Sequence, residues 1–194
     1  CGNSNNKNNG GGGIEIPDEP ATYTLTFVTD GGTKIAPITA KEGSSVTPPA
    51  DPEKDGFVFG GWYLTPEHSG NAVTLPTKMP SENKTFYAKF LRKYVLEYDA
   101  NAPENSTASG TTASTECIEG KPAVIAENGY SIVGYLFMGW STSANGDVNV
   151  NADFTLTQNT TVYAVWNKGY RNKTKQDDYL FISGDEAVLL RNGT

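Results

Sequence analysis

Histidine occurs once in this 194-residue chain, and cysteine and methionine twice each. No apolar run approaches the ~18 residues that cross a bilayer as a helix. Neither cysteine belongs to a Cys-x-x-Cys pair, and no Cys/His cluster exists to hold zinc. Lysine and arginine number 15 against 22 aspartates and glutamates, a formal net charge of −7. A phosphate-backbone partner calls for a basic face, so nucleic acid is not expected to bind. The local basic cluster Lys168, Arg171, Lys173 and Lys175 is followed at once by Asp177 and Asp178, and reads as a solvated linker.

Catalytic signals are equally sparse. The single histidine, His68, sits in Pro66-Glu67-His68-Ser69-Gly70, a loop pattern that predicts exposure. A general base needs an orienting partner and a nucleophile in reach, and no Gly-x-Ser-x-Gly, His-Glu-x-x-His or phosphate-cradling glycine loop supplies them. Two carboxylates meeting in space would suffice for glycoside hydrolysis, but a thin module offers little cleft. The chain is therefore expected to be no enzyme and to carry no cofactor. Asp147-Val-Asn149-Val-Asn151-Ala-Asp153 has the alternating oxygens of a calcium loop. That pattern asks for Gly at position six and Glu at position twelve. Ala152 and Gln158 stand there instead, so the stretch reads as a polar loop, with a weak surface site left open and no metal assigned.

What the chain does have is a repeat. Gly56-Phe57-Val58-Phe59-Gly60-Gly61-Trp62 returns as Gly134-Tyr135-Leu136-Phe137-Met138-Gly139-Trp140. Thr85-Phe86-Tyr87-Ala88-Lys89-Phe90 returns as Thr161-Val162-Tyr163-Ala164-Val165-Trp166, and Tyr23-Thr24-Leu25-Thr26-Phe27 as Tyr94-Val95-Leu96-Glu97-Tyr98. Three matches in one order mean two copies of one module, at 23–90 and 94–166. Residues 1–22 form a polar, glycine-rich tether, and 167–194 a linker with a hairpin that opens a further domain or caps the second module.

Within a module the alternation of Tyr23, Leu25 and Phe27 with threonines predicts a half-buried strand. Thr29-Asp30-Gly31-Gly32 supplies a tight turn, and Thr33–Lys41 a return strand placed at an edge by Pro37. The second copy replaces that turn with Asp99-Ala100-Asn101-Ala102-Pro103 and a Ser/Thr-rich insertion through Ser114, a longer loop expected to move. A short helical turn is allowed near Asp51–Asp55. Gly60 and Gly61 suggest a bulge or a close backbone approach beside the indole. Trp62 and Trp140 each follow a glycine in an apolar strand and read as core anchors rather than sugar platforms. Tyr63, opposite Ser141, is the better candidate for exposure. Aligning Glu42-Gly43 on Glu119-Gly120 puts Cys117 opposite Ala40, a buried structural thiol. A disulfide between Cys1 and Cys117 stays open as an alternative. Four strands per module give a mainly β fold. Only Leu91, Arg92 and Lys93 separate the modules, at most about 11 Å of chain, so Leu91 is expected to pack at the junction and the pair to be elongated and semi-rigid.

The order Tyr-x-Leu-x-Phe, Asp-Gly-Gly-Thr, Asp-Gly-Phe-x-Phe-x-Gly-Trp-Tyr and Lys-Thr-Phe-Tyr-Ala-Lys-Phe resembles the Listeria–Bacteroides repeat, the internalin B-repeat family. The match covers Tyr23–Phe90 well and Tyr94–Trp166 less well, because Asp-Gly-Gly is lost and the insertion added. The resemblance implies a small β-grasp-like, α+β module on bacterial surface proteins and no catalytic residue. Cys1 followed by Gly-Asn-Ser-Asn-Asn-Lys-Asn-Asn and four glycines is similar to the start of a mature bacterial lipoprotein. That resemblance implies a lipid on the Cys1 thiol, with a tether whose r.m.s. reach is roughly 25 Å. The expectation is a membrane-anchored, extracytoplasmic protein serving as an adhesion or spacer module for host or cell-wall protein or glycan. The alternative is a glycan-binding lipoprotein feeding uptake or degradation.

Overall fold

The computed structural model describes residues 19, 21–171, 179–183 and 186–190. Cys1, nearly all of the tether, Lys173, Lys175, Asp177, Asp178 and the hairpin's Gly184-Asp185 lie outside the described residues. The elements are β1 (Thr22–Val28), β2 (Ile38–Lys41), β3 (Phe57–Tyr63), β4 (Lys84–Asp99), β5 (Ser109–Gly110) and β6 (Thr115–Ile118). They continue as β7 (Tyr130–Ser131), β8 (Tyr135–Ser141), β9 (Thr160–Lys168), β10 (Tyr170–Arg171), β11 (Tyr179–Ser183) and β12 (Glu186–Leu190). The protein is mainly β, with no helix among the described residues.

Seven strands form one sheet, ordered β2-β1-β4-β9-β8, with β3 and β6 also on β4. In module one β1 runs antiparallel to β2 and parallel to β4, while β3 runs antiparallel to β4. Module two repeats this with the second half of β4 in the place of β1: β6 is its antiparallel neighbour, β9 its parallel one, and β8 pairs with β9. The registers coincide. Tyr23 faces Ala40 as Tyr94 faces Cys117, so the thiol occupies the expected small inward site.

The Gly-Trp motif has a geometric cause. Both β3 and β8 carry a bulge, between Phe59 and Gly61 and between Phe137 and Gly139. The glycine just before each tryptophan takes φ of 111° and 144° respectively. A Cβ on Gly61 would stand 2.8 Å from Cβ of Ala72, and on Gly139 2.6 Å from Val148. Both glycines are thus required twice over, by φ and by space. The bulged residue itself differs between the copies, Gly60 in one and Met138 in the other.

Several local expectations are corrected. β2 begins at Ile38, not Thr33, because the chain leaving the Asp30-Gly31 turn is drawn to another partner: the Thr33 N–H donates to the Glu53 carbonyl at 2.8 Å. The strand that remains follows Pro37 and lies at the sheet edge. Asp51–Asp55 forms no helical turn. The Ser/Thr insertion is pinned: β5 pairs with β7, and the Gly129 N–H donates to Thr112 Oγ1 at 2.9 Å. Tyr63 is buried, 8% exposed, because the following loop folds back over it. His68 is half-buried rather than exposed, edge-on to Tyr63 with ring centres 5.3 Å apart.

Two cores lie on the sheet. Module one clusters Leu25, Phe27, Trp62, Met79, Phe86 and Ala88; module two clusters Leu96, Tyr98, Cys117, Trp140, Leu156, Val162 and Ala164 among others. Trp62 and Trp140 are each 4% exposed, as core anchors should be. A side-chain device recurs in both copies. Asn83 Oδ1 accepts the Thr24 N–H at 2.8 Å and Asn159 Oδ1 the Val95 N–H at 3.0 Å. Each asparagine satisfies a donor of its module's first strand one residue before that strand's parallel pairing begins.

Candidate functional site

The two modules meet in β4. It is 16 residues long and continuous, the last strand of one module and the first of the next. The two residues at its centre bond to both modules. The Arg92 N–H donates to the Glu119 carboxylate at 3.1 Å, and the Arg92 carbonyl accepts the Glu119 N–H at 2.9 Å, both to module two. The Arg92 guanidinium lies 5.2 Å from the centre of the Phe57 ring, in module one. Lys93 has the reverse assignment. Its N–H donates to the Gly56 carbonyl of module one at 2.9 Å, and its ammonium pairs with Glu116 of module two at 3.0 Å. Backbone and side chain alternate across the strand, so the two residues stitch the modules together from both edges. Leu91 is half-buried and packs beside Gly60, 3.3 Å from where a Cβ would stand.

A shallow groove of about 820 Å³ opens over this joint, between Asp55–Phe57 on one side and Thr157–Asn159 on the other. A second cavity of about 520 Å³ continues along Asp51–Asp55, Phe57 and Phe59 and shares Lys93. Lys54 lies 4.7 Å from the Phe57 ring and is held by the Asp30 carbonyl at 2.7 Å. Phe57 is therefore approached by two cations, Lys54 and Arg92, each worth ~0.5–1 kcal/mol at a partly exposed ring. Acidic and basic groups are mixed along the groove, which suits a polar macromolecular surface better than a single anion.

The joint recurs. Phe57 pairs with Arg92 and Tyr135 with Lys168 at the same place in β3 and β8. The Lys93 N–H to Gly56 carbonyl bond has its counterpart in the Gly169 N–H to Gly134 carbonyl bond, at 2.8 Å. Tyr170 then opens β10 at the same distance past Trp166 as Tyr94 past Phe90. The β10-β11-β12 sheet is seated there by Phe181, 2% exposed, and by the Asn167 amide donating to the Ile182 carbonyl at 2.8 Å.

Other candidates fall apart or fall elsewhere. Cys117 is buried, and its pKa is pushed up by that burial and then by the charge of Glu116, so the thiol is held protonated and unreactive. In the Asp147–Asp153 loop, Asn149 Oδ1 accepts the Thr142 N–H at 2.9 Å and Asn151 Oδ1 the Asp153 N–H at 3.0 Å. Two of the four alternating oxygens are thus spent on backbone. His68 Nε2 bonds the Ala88 carbonyl at 3.1 Å, a structural role. The brevity of Leu91-Arg92-Lys93 predicts a semi-rigid junction, but no sequence motif marks the stitching by Arg92 and Lys93.

The Listeria-Bacteroides repeat domain matches residues 23–89 and again 94–165. The chain belongs to that repeat family, in two tandem copies. It is similar to a protein of Evansella cellulosilytica provisionally named a membrane protein, at 34% identity over 64% of this chain and 18% of that protein. A second protein of the same organism, provisionally named a Gly-rich membrane protein, is 29% identical over 74% of this chain and 16% of its own length. Internalin H of Listeria monocytogenes is 25% identical over 66% of this chain and 22% of its own length. The chain thus spans about a fifth of the length of these curated relatives.

Proposed function

We propose that this member of the Listeria-Bacteroides repeat family is a non-catalytic bacterial surface module that holds or presents a binding partner at a fixed spacing. One observation carries the reading: the unbroken β4 with its stitched joint, which makes two small modules into one unit. A module of this size is only modestly stable alone, and sharing a strand lets each borrow order from the other. The names of the relatives, membrane proteins and an internalin, support an extracytoplasmic address. The strand order β2-β1-β4-β3 with a parallel central pair supports describing each module as β-grasp-like. Cys1 and its glycine-rich tether support a lipid anchor that keeps the pair at a membrane, with protein or glycan of a host or a cell wall as the partner class.

The test is made in the native host. Metabolic labelling with a fatty-acid analogue should mark the wild type and not Cys1→Ala, and protease added to intact cells should remove the labelled protein's modules. Equal labelling of both proteins ends the anchor, and full protection from protease ends the surface address. A second reading, glycan binding in support of uptake or degradation, is favoured by one feature, a cavity of about 380 Å³ between Asn101–Glu104 and Ala144–Gly146 with Trp166 in its wall.

A further inference from the structure

Module two carries a pocket whose place in module one is taken up by a turn. It measures about 380 Å³ and lies between the Asn101–Glu104 loop and the Ala144–Gly146 turn, with Trp166 in its wall. Phe90 stands at the equivalent place in module one, as the pairings Phe59 with Phe90 and Phe137 with Trp166 establish. There the Asp30-Gly31-Gly32 turn sits directly on the ring. A Cβ on Gly32 would come within 2.6 Å of Phe90 Cζ, so nothing fits between. In module two the longer loop stands off, and the space stays open.

The pocket is held open by hydrogen bonds. The Asn101 amide donates to the carbonyls of both Ala144 at 2.8 Å and Ala164 at 2.9 Å, tying the loop to the turn. The Trp166 indole N–H donates to the Ala100 carbonyl at 2.7 Å, and Phe137 stands edge-on to the ring at 5.7 Å. Ser106 closes the loop through the Pro103 carbonyl. Such preorganisation lowers the ordering cost of binding. Against this fixed frame, Glu104 and Asn145 are exposed and free of protein partners among the described residues.

We infer that the Trp166 pocket of module two binds a neutral sugar unit of a glycan chain. The inference deepens the glycan-binding reading and rests on it. A pyranose offers an apolar C–H face to a half-buried indole and hydroxyls to a carboxylate and a primary amide. No lysine or arginine lines the pocket, and Glu104 repels phosphates and uronates. A quaternary ammonium is the other candidate for an aromatic wall beside a carboxylate. Such ligands are recognised by cages of several rings, and this pocket has one. The volume is at the lower end for a ligand site, the scale of one or two sugar rings.

The experiment uses the whole chain labelled with ¹⁵N, titrated with millimolar cellobiose, maltose, chitobiose and choline. Three indole N–H signals report on Trp62, Trp140 and Trp166. A disaccharide should shift the Trp166 indole and the Asn145 amide and leave Trp62 still. Glu104→Ala and Asn145→Ala, both on exposed positions, should each weaken binding about tenfold. Glu104→Gln keeps the hydrogen bonds and should retain sugar binding within a few-fold. Shifts at Trp166 with choline alone, lost in Glu104→Gln, overturn the proposal in favour of an amine site. Sugar shifts elsewhere on the chain with Trp166 unmoved overturn the pocket and leave the glycan reading standing. No shift with any sugar overturns both.

Discussion

The two modules share a backbone and solve its problems with different chemistry. Module one has a dry aromatic core. Phe27 stacks on Phe86 at 5.8 Å and meets Trp62 edge-on at 5.5 Å, and the Trp62 indole N–H is buried with no partner. Module two puts Tyr98 and Val162 where module one has Phe27 and Phe86. The Tyr98 hydroxyl contacts Thr115 Oγ1 at 3.0 Å and accepts the Ala126 N–H at 2.8 Å, while the Tyr130 hydroxyl donates to the Tyr98 carbonyl at 2.8 Å. The Trp140 indole N–H donates to the Ala126 carbonyl at 3.3 Å. The equivalent carbonyls opposite the two tryptophans are satisfied by different means, that of Ala88 by His68 Nε2 and that of Ala164 by Asn101 Nδ2. The difference teaches that the fold depends on the Gly-Trp bulge, the strand registers and a large aromatic centre. The polar details and loops around them can diverge, and divergence in one copy is what opened the Trp166 pocket.

The harshest way to break the comparison is to remove what the copies share. Trp62→Ala and Trp140→Ala should each cost roughly 3–5 kcal/mol, as large aromatic truncations do, and the denaturant midpoint of the affected module should fall accordingly. Gly61→Ala and Gly139→Ala should cost about 2 kcal/mol or more each, since both strain and clash oppose a side chain there. Gly60→Ala should cost under about 1 kcal/mol, because Met138 already occupies the equivalent site. Equal effects at Gly60 and Gly61 would contradict the bulge assignment.

Much of this was legible in the sequence. The repeat, the mainly β class, the edge placement forced by Pro37 and the Cys117–Ala40 equivalence all follow from local pattern and internal alignment. The Ser141 counterpart makes Tyr63 look exposed, because comparing the copies does not reveal that the loop carrying His68 folds back over the ring. The insertion reads as a mobile loop because nothing in a Ser/Thr-rich stretch announces that Ser109-Gly110 will pair with Tyr130-Ser131. The stitched joint depends on Glu119 reaching the Arg92 N–H, a contact between strands that no motif marks. The Trp166 pocket exists only by contrast with Gly32 on Phe90, and that contrast needs both copies in three dimensions.

Finer substitutions sharpen the contrast. Trp→Phe deletes the indole N–H along with some volume. Trp140→Phe should therefore cost about 1 kcal/mol more than Trp62→Phe, whose N–H has no partner to lose. Equal costs in chemical denaturation would mean that the two cores do not differ in this way. The smallest effect concerns Cys117. Its folded pKa is raised, so its contribution to stability is intact below the ordinary thiol range and declines as pH climbs from there toward the raised value. Cys117→Ala should flatten the alkaline end of the stability–pH profile, and an unchanged slope would remove burial of the thiol as its cause.

Arg92 and Lys93 make two modules one body. Residual dipolar couplings measured on the whole chain in dilute alignment medium test it most directly. A single alignment tensor should fit the amides of 23–90 and 94–166 together, with the Lys93 N–H among the slowest to exchange. Two tensors of clearly different magnitude, with rapid exchange at Lys93, would mean that the modules tumble apart and that β4 is not a shared strand in solution.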